Sequence, residues 1–309
     1  MTFYAQGFPS TIDPQLSTKL SVPSYAIITP ARNEGQYLQK TIDCVSGQTL
    51  RPLAWVIVND GSTDNTREII DSAAKQYPWI KGVHRPDRGF RQNGGGVIEA
   101  FYEGYSLVTE EKWDYLVKLD ADLTFGPDYF ASSFDRFIQD PKLGIGGGVI
   151  CDEIDGILVE ESAGDPPFHV RGATKIYRQA CWEALGGLIK APGWDTLDEI
   201  KANMLGWKTG TFRDLKLHQH RKTGGADGCW KNWVKNGLAN YITGYHPVFM
   251  LAKCVRRGIH TGSVAIAAGL GWGFLSGYLK RLPKAEPKLV RYVRQEQVKR
   301  LLLRRSLWT

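Results

Sequence analysis

Cysteine is scarce in this chain, and its spacing excludes a disulfide framework. Five cysteines occur among 309 residues, with no Cys-x-x-Cys pair. A small domain held together by disulfides needs cysteines at a much higher density. We therefore expect a protein of a reducing compartment, whose cysteines serve as small apolar core residues.

The chain also lacks an apolar leader and an internal repeat. Residues 1–20 show no basic start followed by an apolar run, so we expect no signal peptide. Their proline, serine and threonine content predicts a poorly ordered arm, residues 1–23, or a strap over the first domain. With 42% hydrophobic and 23% charged residues, the composition is typical of a soluble globular protein with one large domain or two small ones.

Positive charge is concentrated at the C-terminal end. Residues 280–305 contain ten Lys or Arg and two Glu, a local net charge of +8, whereas the whole chain carries +7. The remainder is therefore close to neutral, and no recognised nucleic-acid-binding motif accompanies the basic tail. These two features argue against nucleic acid as a partner.

The run before the tail, residues 261–279, carries no charge and is long enough to be considered as a membrane span. Its five glycines and the basic residues at both of its ends argue against a crossing, because the positive-inside asymmetry is missing. We expect the run to lie in or dip into the cytoplasmic leaflet, with the basic tail attracted to anionic lipid. A buried helix hairpin is the alternative.

Strand-like and helix-like segments alternate through the first half of the chain. We predict strands at 24–31, 53–60, 80–85 and 114–120, with helices at 34–48, 65–78 and 95–108 between them. This order is typical of an α/β fold with a mostly parallel sheet and helices on both faces. Further on we predict a strand pair turning at Asp155-Gly156, a strand leading into a helix, a carboxylate-rich helix near 195–205 and a strand ending near 221. The expected domains are 24–225 and a helical region, 226–309.

Polar residues follow the predicted strands of this sheet. Asn59 and Asp60 end the second strand, and Asp120 and Asp122 follow the fourth with only Ala121 between them. Ligands bind at the carboxyl ends of parallel strands, so these groups are expected to share one site. The two aspartates form either a turn or, together with phosphate oxygens, a site for a hard divalent cation.

As an ordered set, five segments resemble the family 2 glycosyltransferases over roughly residues 24–220. They are "TPARNEGQYLQKTIDCVSGQT", "VIVNDGSTDNT", "RGFRQNGGGVIEAF", "VKLDADL" and "RGATKIYRQACWEALGG". The resemblance implies a GT-A fold and an inverting, metal-dependent transfer of a hexosyl-type sugar from a nucleotide-diphosphate donor. It implies that the donor is bound by Pro30, Arg32, Asn33, Glu34, Asp60, Ser62, Arg88, Arg91 and Asp120. For Arg88 and Arg91, an ordinary solvated loop is the alternative.

Relatives carry a Glu-Asp pair at the start of a helix, from which the catalytic base comes. The equivalent stretch here, "GWDTLDEIKANMLGWKTG", departs from that pattern and places Trp194-Asp195 over the pair. Asp195 is the first candidate for the base, and Asp198 or Glu199 on the same helical face are the alternatives. An acidic helix N-terminus stabilised by the macrodipole is the structural alternative for each.

Further site residues follow from the same resemblance. Asp120 and Asp122 are expected to hold Mn²⁺ or Mg²⁺ through a DXD motif, with His218 or His220 as a further ligand. Arg171 and Trp182 are expected at the acceptor, although Trp182 is equally consistent with the core.

Taken together, these features predict an inverting glycosyltransferase acting on a lipid-linked or growing saccharide in exopolysaccharide or cell-envelope glycan synthesis. It would be cytoplasmic and peripherally bound to the inner face of the cell membrane. Two rivals are a sugar-phosphate nucleotidyltransferase, disfavoured because a glycine-rich basic loop does not follow the first strand, and a non-catalytic membrane-bound scaffold. The sugar, the nucleotide, the linkage and the oligomeric state do not follow from the sequence.

Overall fold

The computed structural model describes residues 22–87, 89, 95–161, 164–221 and 229–309. The expected N-terminal arm, apart from its last two residues, lies outside these ranges, and so do Arg88 and Arg91.

The described residues form one sheet and a series of helices. The strands are β1 Tyr25–Ala31, β2 Ala54–Asp60, β3 Ile80–Arg85, β4 Tyr115–Leu119, β5 Leu123–Phe125, β6 Leu143–Ile154, β7 Ile157–Glu160, β8 Thr174–Arg178 and β9 Lys208–Gln219. The helices are α1 Leu38–Ser46, α2 Thr66–Gln76, α3 Gly95–Tyr105, α4 Tyr129–Gln139, α5 Gln179–Leu185, α6 Trp194–Met204, α7 Cys229–Thr243, α8 Pro247–Thr261, α9 Val264–Leu279 and α10 Pro287–Leu301.

The sheet is parallel in its first half and mixed in its second. Strands β3, β2, β1 and β4 lie side by side and parallel, as the alternating pattern predicts. Strand β8 then pairs antiparallel with β4 and β6, while β9 runs parallel to β6 and antiparallel to β5. The predicted α/β class is confirmed. The parallel arrangement holds for β1 to β4, the strands that α1, α2 and α3 connect.

Helices cover both faces of the sheet because the central strands are apolar on both sides. On β1, Tyr25 and Ile27 face the core formed with α1, α2 and α4, whereas Ala26 and Ile28 face the core formed with α3 and α5. This alternation is the period of two that a strand imposes on its side chains.

The predicted turn at Asp155-Gly156 is confirmed. Both residues have positive φ, 51° and 77°, and they join β6 to β7 as an antiparallel hairpin. A tight hairpin favours an Asp-Gly pair because its turn needs two residues in the left-handed region.

The last four helices pack on one another and on helix α6. A third apolar core joins Leu197 and Ile200 of α6 to Tyr241, Leu270 and Leu289 of α7, α9 and α10. Gly193, whose φ of 81° starts α6, lies against Ala239 of α7. The C-terminal helices therefore support the start of α6. Within the described ranges, no helix combines the length and apolar character that a bilayer crossing requires.

Glycines allow α7 and α9 to touch along their backbones. A Cβ built on Gly273 would lie 2.0 Å from the Val234 carbonyl oxygen, and one on Gly237 would lie 2.1 Å from that of Leu270. The same side of α9 presents Gly269 to Trp233. This close approach explains why the run carries so many glycines, a feature that serves helix packing.

We predict opposite effects for two glycines that lie two residues apart on α9. Gly273→Ala should destabilise the protein by about 1–3 kcal/mol because the methyl group meets fixed backbone. Gly271→Ala, whose nearest neighbour is the Cys254 Sγ at 3.8 Å, should be neutral or stabilising by up to about 1 kcal/mol, since it removes a helix-interior glycine. Urea unfolding of both variants measures the difference, and equal stabilities would contradict the close packing.

Candidate active site

The loops after β1 and β2 are tied together at the carboxyl edge of the sheet. Asn33, with φ of 53°, donates its backbone N–H to the Ser62 Oγ at 2.9 Å. Its side-chain oxygen accepts from the Thr63 N–H at 2.8 Å. The Ser62 N–H in turn donates to the Asn59 Oδ1 at 2.8 Å. These bonds hold two predicted donor-binding motifs in one rigid edge.

Asp60 ends β2 and accepts hydrogen bonds from two arginines. The Arg85 Nη1 donates to the Asp60 Oδ1 at 2.6 Å, and the Arg32 Nη1 donates to the Asp60 carbonyl oxygen at 2.6 Å. Arg32 also bonds Asp87 at 2.7 Å. The next residue, Gly61, has φ of 69° and lies so close to the Asp87 backbone that a Cβ would overlap it. A side chain at position 61 would therefore disrupt this edge.

Three carboxylates lie close together at this edge, the buried Asp122 after β4 and the partly exposed Glu34 after β1 and Asp120 after β4. Burial, followed by repulsion from Asp120, raises the pKa of Asp122 to about 6. Burial also raises the pKa of Glu34 to about 8, although the Arg221 guanidinium 2.9 Å away opposes the rise. Asp122 is only 5% exposed and accepts from the Gln219 Nε2 at 3.2 Å.

The chemistry of these groups fits a hard divalent cation. Carboxylate oxygens are the ligands such cations prefer, and Mg²⁺ is usually held by one or two carboxylates plus substrate phosphates. The raised pKa of Asp122 reflects first its burial and second the repulsion from Asp120, and a bound cation would offset both costs. Among the described residues no cluster of three or more His, Cys, Asp or Glu is arranged for a metal ion by itself. Phosphate oxygens would have to complete such a site.

The two predicted histidine ligands lie on and just after the end of β9. Their ring centroids are 4.2 Å apart. His220 donates its backbone N–H to the Asp122 carbonyl oxygen at 3.0 Å, and its Nε2 lies 3.1 Å from the Thr124 Oγ1. The His218 Nδ1 is 3.6 Å from Glu153. Burial, followed by the neighbouring His218, lowers the pKa of His220, which keeps it neutral at physiological pH. The polar contacts of both rings are thus with Thr124 and Glu153.

Two buried lysines connect the aspartate edge to helix α6. Lys118 of β4 and Lys175 of β8 lie directly opposite each other in the sheet, and both are almost fully buried. Lys118 donates to Asp120 and, at 2.5 Å, to the Gly172 carbonyl oxygen. The Trp194 ring lies 5.6 Å from the Lys118 Nζ and 5.5 Å from the Lys175 Nζ.

Asp198 and Glu199, two of the three candidate bases, are buried around Lys175. The Lys175 Nζ is 2.8 Å from Asp198 and 2.7 Å from Glu199. Burial raises the pKa of Asp198. Although burial alone would lower the pKa of Lys175, the two carboxylates raise it. The network therefore keeps the lysine charged.

The remaining oxygens of this pair are occupied as well. The Tyr177 hydroxyl donates to Asp198 at 2.5 Å, and the Val170 N–H donates to Glu199 at 2.7 Å. The His169 Nδ1 lies 2.9 Å from the second Glu199 oxygen. Since all four oxygens have partners and both side chains are buried, neither carboxylate is open to a substrate.

Asp195 differs from the other two carboxylates. It is half-buried, and its carboxylate accepts no hydrogen bond from any residue that the structure describes. A Cβ built on Gly172 would lie 3.2 Å from the Asp195 Oδ2. The Gly172 carbonyl accepts from Lys118, and the next carbonyl, that of Ala173, accepts from the Asp120 N–H at 2.8 Å. A single stretch of backbone therefore separates Asp195 from the aspartate edge.

The two predicted acceptor residues are placed differently. Arg171 precedes Gly172, the residue that lies against Asp195. The Arg171 Nη2 donates to Glu161 at 2.9 Å. Trp182 is 4% exposed, donates to the Tyr105 hydroxyl at 2.9 Å and packs against Phe101. Of the two alternatives for Trp182, the structure places it in the core, where no ring face is open to a sugar.

The sequence analysis missed the lysines, and a signal for them was present. Lys118 interrupts the apolar strand "YLVKL", and Lys175 lies in "TKIYR", a strand that is also buried along most of its length. A lysine in that setting requires a carboxylate partner. His169 and Tyr177 carry no comparable signal, because histidine and tyrosine are common in ordinary cores.

The comparison with known sequences covers the first half of the chain. Residues 26–172, a little under half of it, match the family model described as Glycosyl transferase family 2. Over 122 residues, 40% of this chain, the sequence is 31% identical to a hyaluronan synthase and 30% identical to a chondroitin synthase, both of Pasteurella multocida. The chain spans only 12% of the length of either synthase.

The comparison with solved structures concerns the fold. The structure is similar to the mannosyltransferase PcManGT from Pyrobaculum calidifontis, solved in complex with GDP-Man and Mn²⁺, with a TM-score of 0.53 and 17% identity. The match covers 91% of this chain and 81% of that one. The expected fold, α/β of the GT-A type followed by C-terminal helices, is confirmed.

The raised pKa of Asp122 predicts a pH-dependent stability. Because the folded pKa of about 6 exceeds the unfolded value of about 4, the associated stabilisation is present at acid pH and lost as pH rises through 6. Asp122→Asn should therefore be more stable than wild type at pH 8, by about 1–3 kcal/mol, with no difference near pH 4. Thermal unfolding from pH 4 to 8 without divalent cations measures this, with the exposed Asp135→Asn as control. A pH-independent difference would contradict the burial of this charge.

Proposed function

We propose that this chain is a family 2 glycosyltransferase that transfers a sugar, with inversion, from a nucleotide-diphosphate donor to a saccharide hydroxyl. The observation that carries the proposal is Asp195, whose carboxylate accepts no hydrogen bond from the described residues and lies one backbone stretch away from the paired aspartates at the end of β4. The family match of residues 26–172 and the shared fold support the same reading. The enzyme class follows from the site, since one fold hosts many activities.

The donor would lie across the carboxyl ends of β1, β2 and β4. In this proposal Asp60 would accept from a base or ribose, and the contact of Arg32 with the Asp60 carbonyl oxygen keeps the loop after β1 beside it. PcManGT was solved with GDP-Man and Mn²⁺, a nucleotide sugar and a divalent cation. We extend that class of donor to this chain without naming the base or the sugar.

The proposed chemistry is a single displacement. The Asp195 carboxylate takes the proton of the acceptor hydroxyl. At the same time the hydroxyl oxygen of the acceptor attacks the anomeric carbon of the donor sugar from the face opposite the diphosphate. The bond from that carbon to the diphosphate oxygen breaks, and the electron pair leaves with the diphosphate. Lys175, Asp198 and Glu199 fix helix α6 and so orient Asp195.

Asp120 and Asp122 are the residues we propose to hold Mn²⁺ or Mg²⁺. When bound, the cation would supply positive charge to the leaving diphosphate. Lys118, which pairs with Asp120, fixes the direction of one carboxylate. We keep His218 and His220 as candidate outer ligands, because both rings lie beside the loop that carries Asp122.

The acceptor is proposed from the relatives and from the C-terminal region. Hyaluronan synthase and chondroitin synthase carry polymer names, which supports a growing saccharide in envelope or exopolysaccharide synthesis. We propose a lipid-linked or oligosaccharide acceptor and an enzyme held at the inner face of the cell membrane. Arg171, beside Gly172, is the residue we retain for acceptor contact.

A screen of nucleoside diphosphates by thermal shift tests the donor class. A ligand that binds only the folded state raises Tm, and the shift grows with the ratio of its concentration to its Kd. We expect one diphosphate to raise Tm with Mn²⁺ and far less without it, and Asp122→Asn to lose the cation-dependent part. A protein unmoved by every nucleotide would contradict the proposal. A nucleoside triphosphate together with a sugar phosphate as the best ligands would favour a nucleotidyltransferase.

Two neighbouring aspartates should separate catalysis from structure. Asp195→Asn should lower kcat of transfer or donor hydrolysis by about 10²–10⁴-fold, because it removes the proton acceptor while leaving Tm and donor binding unchanged. Asp198→Asn removes a partner from the buried Lys175 and should destabilise the protein by about 3–5 kcal/mol. Steady-state kinetics and urea unfolding on both variants distinguish the two roles. A fully active Asp195→Asn would refute the assignment.

A further inference from the structure

Helices α8 and α9 form an antiparallel hairpin with one side turned to α7. Gly258 of α8 lies against Ala267 of α9, and Cys254 of α8 lies against Gly271 of α9, so the two helices run in opposite directions. On the α7 side, the Lys253 Nζ donates to the Asn240 Oδ1 at 3.2 Å, and the Arg257 guanidinium lies 5.2 Å from the Trp233 ring. Lys253 and Arg257 thus point toward α7, whereas Arg256 and His260 of the same helix are exposed.

The outward side of the hairpin is apolar. On α8 the exposed residues at helical spacing are Val248, Leu251, Val255 and Ile259. On α9 they are Val264, Trp272, Leu275 and Leu279. Their exposed fractions run from 49% for Leu275 to 84% for Val264.

Both stripes face the same way. With 100° between successive residues, each stripe lies about a quarter-turn from the contact between α8 and α9, on the side away from α7. Because the two helices are antiparallel, the stripes join into one continuous apolar face. A contiguous face of this kind marks an interaction site on a folded protein.

The segment that carries this face has charges of one sign only. From residue 228 to residue 285 the chain contains eight Lys or Arg and no Asp or Glu. Arg256, Lys280 and Arg281 are exposed at the margins of the hairpin. An apolar face with a tryptophan and a cationic margin is complementary to a lipid surface with anionic headgroups. A second copy of the chain would bring like charges together, which disfavours self-association.

We propose that the outward face of α8 and α9 is the surface by which this protein lies on an anionic membrane, with the hairpin parallel to the lipid plane. This inference gives the proposed membrane association its surface, and it does not depend on the reaction. It also differs from the expectation for the sequence, which placed the contact in residues 261–279 and the basic tail. Helix α8 supplies half of the face.

Sedimentation of the full chain with lipid vesicles tests this surface. Wild type should pellet with vesicles containing phosphatidylglycerol and much less with pure phosphatidylcholine. The double variant Leu251→Glu/Ile259→Glu should lose at least tenfold in partitioning, because it places two carboxylates on the face. Ile157→Glu, equally exposed on the β6–β7 hairpin, is the matched control and should bind as wild type. Circular dichroism and Tm verify that each variant folds.

Several outcomes would overturn the inference. They are wild type that stays in solution with anionic vesicles, and a double variant that pellets like wild type. A third outcome is a wild-type protein that does not bind vesicles and is a dimer by light scattering, while the double variant is a monomer. That result assigns the face to self-association. Donor-dependent thermal shift on the same samples reports the proposed function separately, so failure of one does not imply failure of the other.

Discussion

Two positive charges buried side by side are the constraint on which this site depends. Lys118 and Lys175 face each other across β4 and β8, a pairing that is destabilising unless each charge has its own carboxylates. Lys118 takes Asp120, Lys175 takes Asp198 and Glu199, and the Trp194 ring lies close to both ammonium groups. Satisfying the lysines therefore fixes the aspartate edge and the start of α6 relative to each other.

This arrangement explains why three acidic residues of one helix have different roles. Asp198 and Glu199 point into the protein and balance Lys175, so they are committed to structure. Asp195 lies in the first turn of the same helix, beside Gly172, and its carboxylate accepts no hydrogen bond from the described residues. The C-terminal helices complete the support, because Ala239 of α7 rests on Gly193 and their core includes Leu197 and Ile200. The buried pair Asp198 and Glu199 thus fixes the position of Asp195, the carboxylate that we propose as the base.

Sequence periodicity predicted the parallel strands and their helices well, because β1, β2 and β4 are apolar runs with few other solutions. It did not predict that β8 returns antiparallel beside β4, since that pairing is set by contacts distant in sequence. The aspartates at the strand ends and Asp195 were identified from motifs. The division of the α6 carboxylates into the half-buried Asp195 and the buried Asp198 and Glu199 depends on Lys175. Motifs do not reveal that division, because lysine is seldom buried in a strand. The packing of α9 on α7 could not be predicted from hydropathy, because the sequence does not show which helix the glycines of α9 contact.

The central claim is that the carboxylates after β4 bind a cation together with a diphosphate. Crystals grown with Mn²⁺ and the best nucleoside diphosphate, measured at the manganese absorption edge, test it most directly. The account predicts an anomalous peak about 2 Å from the Asp122 carboxylate, bridged to the diphosphate. A diphosphate bound at this edge with no manganese beside Asp120 or Asp122 would contradict it.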